Sequence, residues 1–226
     1  MSDTIRIFPL GDSALTVEFG NCISVDLNRK AIALATHFDE YPFQGFIEAA
    51  PAYASTTLFY DLNAVRKASG GQSAFAAVKE LVEEILPTID GAPKSDSRLI
   101  EIPASFDGVD APDLDFIAES SGLDENQVIE TFLARTYRVY MLGFLPGFSY
   151  MGDVDDSIAT PRKESPRTSV PRGSIGIAGK QTGIYSLESP GGWQLIGRTE
   201  LVMFDPKLDQ AALLRPGDSV RFVRIK

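Results

Sequence analysis

A single stretch, residues 142–199, constrains the fold more than any other part of the chain. It holds ten glycines and five prolines. Glycine permits positive φ and close backbone approach, whereas proline fixes φ and removes a hydrogen-bond donor. Aromatic and branched apolar residues recur between them, which a disordered linker would lack. The stretch therefore predicts short strands joined by tight, shaped loops, the usual location of a binding surface.

The charge of this stretch opposes the charge of the whole chain. The protein carries a formal net charge of −10, yet the stretch gathers six basic side chains, Arg162, Lys163, Arg167, Arg172, Lys180 and Arg198. The acidic balance argues against general nucleic-acid binding, which needs a broad positive surface. No apolar run reaches the length of a membrane span, and one cysteine excludes an internal disulfide framework. These features predict a soluble, cytoplasmic protein.

The order of predicted elements divides the chain into the two domains of an α+β protein. Residues 1–97 predict a small α/β domain, including a helix over residues 73–86 that Pro87 ends and a linker over residues 91–97. Residues 98–226 predict a compact β-barrel, because a helical pair is followed by short strands with turn signals between them. One such strand is predicted at residues 201–204. At the second helix of the pair, Asp124 and Gln127 match a capping box.

Three arginines are the strongest candidates for a binding role. Arg162, Arg167 and Arg172 recur every five residues, and each follows a proline. Proline stiffens the backbone, so planar guanidinium groups could be held in defined directions to bind carboxylate or phosphate oxygens. The same arginines could instead tie loops to carbonyl groups or to Glu164. The residues alone leave both interpretations open.

The turn Gly191-Gly192-Trp193 also has two interpretations. Its exposed backbone N–H groups and indole could hold a flat or anionic group. Alternatively, it is a tight turn around a buried tryptophan, because tryptophan is usually well buried.

Two further motifs match known catalytic or phosphate-binding loops only in part. The serine in Gly147-Phe148-Ser149 resembles a nucleophile elbow, but the second glycine falls one place late and no histidine of its domain can act as base. Residues 173–180 resemble a phosphate-binding loop with one residue too many between the outer glycines, and Gln181 replaces the metal-binding hydroxyl. Lys180 remains a candidate phosphate contact. One histidine and one cysteine provide no metal-ligand set.

Several longer motifs resemble those of a known family. They are YRVYMLGFLPGF at residues 137–148, ATPR at 159–162, QTGIY at 181–185, SPGGW at 189–193 and LRPGDSV at 214–220. In these motifs the chain resembles the allophanate hydrolase subunit 1 family, also described as carboxyltransferase subdomains C and D. That family includes the B subunit of the ATP-dependent 5-oxoprolinase and a sporulation kinase inhibitor.

The resemblance implies an α/β N-terminal domain followed by a cyclophilin-like β-barrel. It implies a subunit of an enzyme that opens 5-oxo-L-proline to L-glutamate, with ATP shared by the complex. The implied partners are a second, cyclophilin-like subunit of the C type and a third subunit of the A type. Two alternatives stay open: an inhibitory module acting on a histidine kinase, and a carboxyltransferase or allophanate-hydrolase-like subunit of urea metabolism. Phe132 and Ser105 replace residues that relatives often have as histidine and cysteine, so we do not expect the chain to be active alone.

Within this framework we expect the small-molecule substrate to contact the stretch at residues 142–199, although no complete catalytic set is evident. The anion-binding candidates are Arg162, Arg167, Arg172, Lys180 and Arg198. Substrate positioning is expected from Gln181 and Tyr185, with Gly191, Gly192 and Trp193 as a wall. We also expect the apolar side chains of the stretch to form an exposed strip that the second subunit covers.

Overall fold

The structure is a computed structural model that describes residues 5–89 and 97–225. The chain divides into two compact units, separated between residues 96 and 97. Each unit has a buried apolar core of its own. The linker predicted over residues 91–97 lies outside the described residues except at its last position.

The first unit combines a four-stranded antiparallel sheet with three helices. Its strands are β1 (Arg6–Pro9), β2 (Ala14–Glu18), β3 (Phe46–Pro51) and β4 (Ser55–Tyr60), in the order β1-β2-β4-β3. Its helices are α1 (Val25–Glu40), α2 (Leu62–Ala68) and α3 (Ala74–Ile89). Apolar residues alternate along the strands and recur on one face of α1 and α3. These residues pack together into one core, which includes the buried Leu15, Leu34, Leu58 and Val78. The predicted small α/β domain is confirmed.

Helix α3 corrects the prediction that Pro87 ends it. The helix continues to Ile89, with Pro87 inside its last turn. Proline removes one amide donor, but close to a helix C-terminus few further hydrogen bonds depend on that position. The hydroxyl of Thr88 donates to the carbonyl oxygen of Ile85 at 2.7 Å, which satisfies one carbonyl of this turn.

The second unit is built on a seven-stranded sheet. After β5 (Leu99–Ala104) the chain forms a 3₁₀ turn (Gly108–Asp110) and the helices α4 (Leu114–Ser121) and α5 (Glu125–Leu133). The later strands are β6 (Tyr137–Leu142), β7 (Ser149–Gly152), β8 (Arg167–Val170), β9 (Ser174–Ala178), β10 (Gln181–Ile184), β11 (Ser189–Gly191), β12 (Gln194–Arg198) and β13 (Ser219–Arg224). The sheet order is β12-β9-β10-β7-β6-β13-β5, while β8 and β11 form a separate two-stranded ribbon.

The outer strands β5 and β12 meet and close this sheet into a barrel. Ser105, just after β5, and Arg198, at the end of β12, exchange two backbone N–H···O hydrogen bonds of 2.8 Å each. Gly197 permits the approach, because a β-carbon there would lie 2.7 Å from the Ser105 carbonyl oxygen. The predicted order, an α/β domain followed by a β-barrel, is therefore confirmed.

Two local predictions for the second unit have opposite outcomes. Residues 201–204 form no strand, because Met203 inserts into the barrel core from a loop and only Phe204 makes an isolated bridge. The capping box at α5 is confirmed. The carboxylate of Asp124 accepts the Gln127 amide hydrogen at 2.8 Å, and the Gln127 side chain accepts that of Asp124 at 2.9 Å.

Candidate functional site

A cavity of about 320 Å³ in the second unit contains two of the predicted anion-binding residues, Arg167 and Arg198. Arg167 begins β8 and Arg198 ends β12, so both guanidinium groups project from regular structure. The other lining residues are polar (Asp110, Ser169, Ser174) or apolar (Val109, Pro112, Pro171, Leu195). Small-ligand sites typically combine an apolar wall with a few convergent polar groups. We call this space the arginine cavity.

A buried carboxylate, that of Asp113, fixes Arg167. The side chain of Asp113 is 4% exposed, and Arg167 Nη2 donates to its Oδ1 at 2.6 Å. Lys163 Nζ donates to the same oxygen at 2.9 Å, and the Leu195 amide donates to Oδ2 at 2.7 Å. Burial would raise the pKa of Asp113, but these three hydrogen bonds outweigh it and hold the pKa below its ordinary value. Asp113 is therefore anionic at neutral pH and sets the direction of Arg167.

Arg198 is held more loosely than Arg167. Its Nε donates to the carbonyl oxygen of Arg172 at 3.1 Å. Its terminal nitrogens lie 3.8 Å from a carboxylate oxygen of Asp110 and 3.9 Å from one of Glu200. Both distances are longer than a hydrogen bond. The terminal N–H groups of Arg198 are therefore available to a ligand in the arginine cavity.

Five other predicted site residues lie together around the indole ring, away from the lining of the arginine cavity. Trp193 is 5% exposed, and the guanidinium carbon of Arg162 lies 5.7 Å from its ring centre, a cation–π distance. Gly191 packs so closely on Tyr185 that a β-carbon would lie 2.3 Å from the phenolic oxygen. The carbonyl of Gly192 accepts the Lys163 amide hydrogen at 2.7 Å. This geometry is that of a tight turn around a buried tryptophan, and a binding role for the turn stays a prediction.

The expected exposed strip of apolar side chains is wrong in extent. Phe148 is buried and packs edge-to-face on Tyr185 and Trp193, with ring centres 5.1 and 5.5 Å apart. These rings form a satellite core in which the edge of one ring packs against the face of the next. Phe144 and Leu187 are exceptions: Phe144 is 61% exposed and has a φ of 64°, a conformation that non-glycine residues rarely adopt, and Leu187 is also exposed.

The remaining candidates lie outside the lining of the arginine cavity. Lys180 is exposed in the turn between β9 and β10, where its Nζ pairs with Asp156 at 2.5 Å. Gln181 begins β10. The Arg172 side chain is exposed, and only its carbonyl reaches the site, through Arg198. The apparent phosphate loop is mostly the fully buried strand β9, so its backbone N–H groups are used within the sheet.

Other chemistry suggested by single residues has little support in the structure. Ser149 is completely buried within β7, so it cannot act as an exposed nucleophile. Over residues 5–89 and 97–225, no group of histidine, cysteine, aspartate and glutamate side chains is placed to hold a metal ion. In the same described residues, no helix has the length and apolarity needed to cross a membrane.

The sequence analysis missed Asp113 as a functional residue. It is 54 positions from Arg167 and 82 from Leu195, so no local pattern joins them. Asp113 occupies the N-cap of α4, a position that favours aspartate. Its side chain nevertheless makes no capping hydrogen bond and turns toward Arg167 instead. A helix-start signal was present, but nothing in it indicated an ion pair.

The chain belongs to the family described as carboxyltransferase domain, subdomain C and D, which matches residues 5–214. Within that family it is 46% identical to the 5-oxoprolinase B subunit of Bacillus subtilis strain 168, over 100% of this chain and 95% of that protein. It is 39% identical to the 5-oxoprolinase B subunit of Escherichia coli O157:H7, over 96% of this chain and 95% of the relative.

A solved structure has the same fold. The crystal structure of the protein TTHA0988 is 35% identical to this chain, with a TM-score of 0.78 over 99% of it. This chain spans 40% of the length of that protein.

Proposed function

We propose that this chain is the B subunit of an ATP-dependent 5-oxoprolinase, which opens the lactam ring of 5-oxo-L-proline to give L-glutamate. The observation that carries this proposal is the 46% identity to a 5-oxoprolinase B subunit over the whole chain. A third protein of that name, from Haemophilus influenzae, is 34% identical over 97% of this chain. Likeness of this extent includes both units and the segments that form the arginine cavity.

The contribution of this chain is electrostatic. Opening an amide or lactam develops negative charge on the carbonyl oxygen, and fixed cationic donors stabilise such charge. Arg167 is fixed by Asp113, and Arg198 presents its terminal nitrogens to the same cavity. Among the described residues, those that line the cavity include one carboxylate, Asp110, and no histidine, lysine or cysteine. We assign the groups that complete the reaction to the other subunits.

The glycine-rich segment at residues 173–180 does not fit a bound nucleotide. A triphosphate needs several free backbone N–H groups or a cluster of cations. The glycine-rich segment that resembles a phosphate loop is a buried strand, and the neighbouring Lys180 is paired with Asp156. ATP would supply the activation of the lactam carbonyl, by phosphoryl transfer, from elsewhere in the complex. We place its binding site on a partner subunit.

A second subunit of the C type, together with a third of the A type, completes the enzyme in this proposal. TTHA0988 supports it, because a chain like this one occurs there within a much longer polypeptide. Val109, which lines the arginine cavity next to Asp110, is 94% exposed. Exposed apolar groups beside charged ones are typical of a surface that a partner covers.

Reconstitution tests the proposal. The chain is mixed with the A-type and C-type subunits of the same organism, and glutamate release from 5-oxo-L-proline is measured with ATP. We expect release only with all three proteins and ATP present. Arg167→Lys is expected to abolish most activity, because a lysine cannot reproduce the guanidinium fork. Arg221→Lys, an exposed arginine on β13, is the matched control. Full activity without this chain would refute the proposed role.

A further inference from the structure

The two arginines of the cavity are held by different nitrogens of their guanidinium groups. Arg167 is immobilised through Nη2, while its Nη1 is buried and has no hydrogen-bond partner among the described residues. Arg198 is anchored through Nε, and its terminal nitrogens make only long contacts. A buried N–H group without an acceptor costs free energy. The cavity is therefore lined by two anchored arginines, and its unused accessible donors are the terminal N–H groups of Arg198, whereas Nη1 of Arg167 is enclosed.

The local charge limits what these donors can bind. Lys163 and Arg167 carry two positive charges against the single negative charge of Asp113. Arg198 faces Asp110, which also lines the cavity, whereas Glu200 is 81% exposed and screened by water. Among the groups that line the cavity or bind Asp113, one positive charge is left uncompensated; Glu188, which accepts a hydrogen bond from the lining Ser169 at 2.8 Å, is exposed and screened like Glu200. A ligand with one negative charge neutralises it, whereas a phosphate dianion would leave excess negative charge in a partly buried space.

The shape of the cavity agrees with this charge. A guanidinium fork matches the two oxygens of a carboxylate, and a fork that is already fixed loses little entropy on binding. Four of the nine lining residues, Val109, Pro112, Pro171 and Leu195, are apolar. We propose that the arginine cavity binds the carboxylate of a small monocarboxylate with an apolar body, with Arg198 and Arg167 as its cationic ligands and Asp113 as the positioning residue. The inference rests on the proposed function, since 5-oxo-L-proline is a ligand of this kind.

Ligand binding to the full chain tests the inference independently of turnover. Saturation-transfer NMR compares 5-oxo-L-proline with its uncharged amide, 5-oxo-L-prolinamide, and adds inorganic phosphate as a competitor. We expect the acid to bind about tenfold or more tightly than the amide, the loss of one charge-assisted pair. Phosphate should displace the acid poorly. Equal binding of acid and amide, or displacement by phosphate at matching concentration, would overturn the assignment.

Substitutions locate the site. Arg167→Lys and Arg198→Gln are each expected to weaken acid binding about tenfold or more and to leave the weak amide binding unchanged. Arg221→Lys is the control, because Arg221 is an exposed arginine of β13 whose nearest carboxylate oxygen, of Glu101, is 3.6 Å away. If the control lowers acid affinity as much as the two cavity variants do, the acid binds elsewhere and the inference fails.

The variant Asp113→Asn tests whether Asp113 positions Arg167 for the ligand or only stabilises the fold. The substitution removes one negative charge and so raises the uncompensated charge of the cavity from one to two. We therefore expect acid affinity to fall while the competition by phosphate becomes stronger, a reversal of preference that loss of structure would not produce. Trp193 fluorescence checks that the variant is folded. An unchanged ratio of acid to phosphate binding in the folded variant removes Asp113 from the proposal, and if the variant does not fold, the arginine variants decide.

The failure of this inference and of the proposed function can be told apart. Acid binding that depends on Arg167, without glutamate release in the complete three-protein mixture, supports the carboxylate site and refutes the enzyme assignment. Glutamate release that is insensitive to Arg167→Lys and Arg198→Gln supports the enzyme assignment and refutes the carboxylate site.

Discussion

Removal of the Asp113 carboxylate should destabilise the second unit more than any exposed substitution on the same helix. Asp113→Ala leaves the buried Leu195 amide without its acceptor, at about 1–3 kcal/mol. It also leaves Arg167 and Lys163 without their anion, and breaking a buried ion pair from one side costs about 3–5 kcal/mol. Arg167 and Lys163 are 24% and 31% exposed, so water partly replaces the lost partner. Solvent therefore brings the ion-pair cost below its usual range, and together with the Leu195 amide we expect a total loss of about 3 kcal/mol.

Trp193 makes this loss measurable in the full chain. It is the one tryptophan of the sequence and is buried in the second unit, so its fluorescence follows the unfolding of that unit. Urea titrations of the wild type and Asp113→Ala give the difference in free energy of unfolding. In a thermal scan the same loss corresponds to a midpoint about 10 °C lower.

Glu119→Ala, an exposed position of α4, is the control and should change the free energy of unfolding by less than about 0.5 kcal/mol. If Asp113→Ala also costs less than about 1 kcal/mol, a value typical of an ordinary substitution, then Asp113 does not tie α4, β8 and β12 together. That result would also remove the basis for treating Arg167 as immobilised.

Substitutions of Gly173 and Tyr137, and a change of pH that protonates Asp113, test further interactions of the second unit. Gly173→Ala, at a φ of 83° with a β-carbon 2.0 Å from a backbone oxygen, should cost well over 2 kcal/mol in urea titration, whereas Gly179→Ala, with open space, should cost about 1 kcal/mol. Tyr137→Phe loses the 2.7 Å hydrogen bond to the buried Phe132 carbonyl and should cost about 1–3 kcal/mol in the same assay, and no change would show that the bond is replaceable. Because the pKa of Asp113 is lowered on folding, the folded state binds fewer protons between that pKa and the ordinary value near 3.9, so stability should fall as pH drops through this interval and fall less in Asp113→Asn.

The fold could be predicted where its determinants are local. Alternation and turn residues indicated the strands of both units, and the pair Asp124 and Gln127 specified the start of α5. Local rules failed where tertiary packing decides the outcome. Pro87 does not end α3, because the helix is already in its final turn, and residues 201–204 form a loop that inserts Met203 into the core.

The sequence predicted which types of residue form the site, but not which of them lie together in the structure. The spacing of Arg162, Arg167 and Arg172 suggested three groups acting together, yet each lies in a different structural context. Arg162 covers the indole of Trp193, Arg167 begins β8 and faces the cavity, and Arg172 is exposed beyond it. Equal five-residue spacing does not determine where the side chains point when turns and a short strand separate them. Which side chains come together depends on how the strands pair, and a single stretch of sequence does not specify that pairing.

The arginine cavity and the closure of the barrel are parts of one arrangement. Arg198 supplies a terminal guanidinium to the cavity and, through its backbone, the two hydrogen bonds to Ser105 that close the sheet. Asp113 and Leu195 are joined twice, since the Asp113 amide also donates to the Leu195 carbonyl at 3.0 Å. Asp113 therefore links Arg167, in the ribbon of β8 and β11, to Leu195 of β12, the strand that also carries Arg198. Substitution of the Arg198 side chain removes one exposed hydrogen bond to the Arg172 carbonyl and should impair ligand binding with little loss of stability, whereas substitution of Asp113 must impair both.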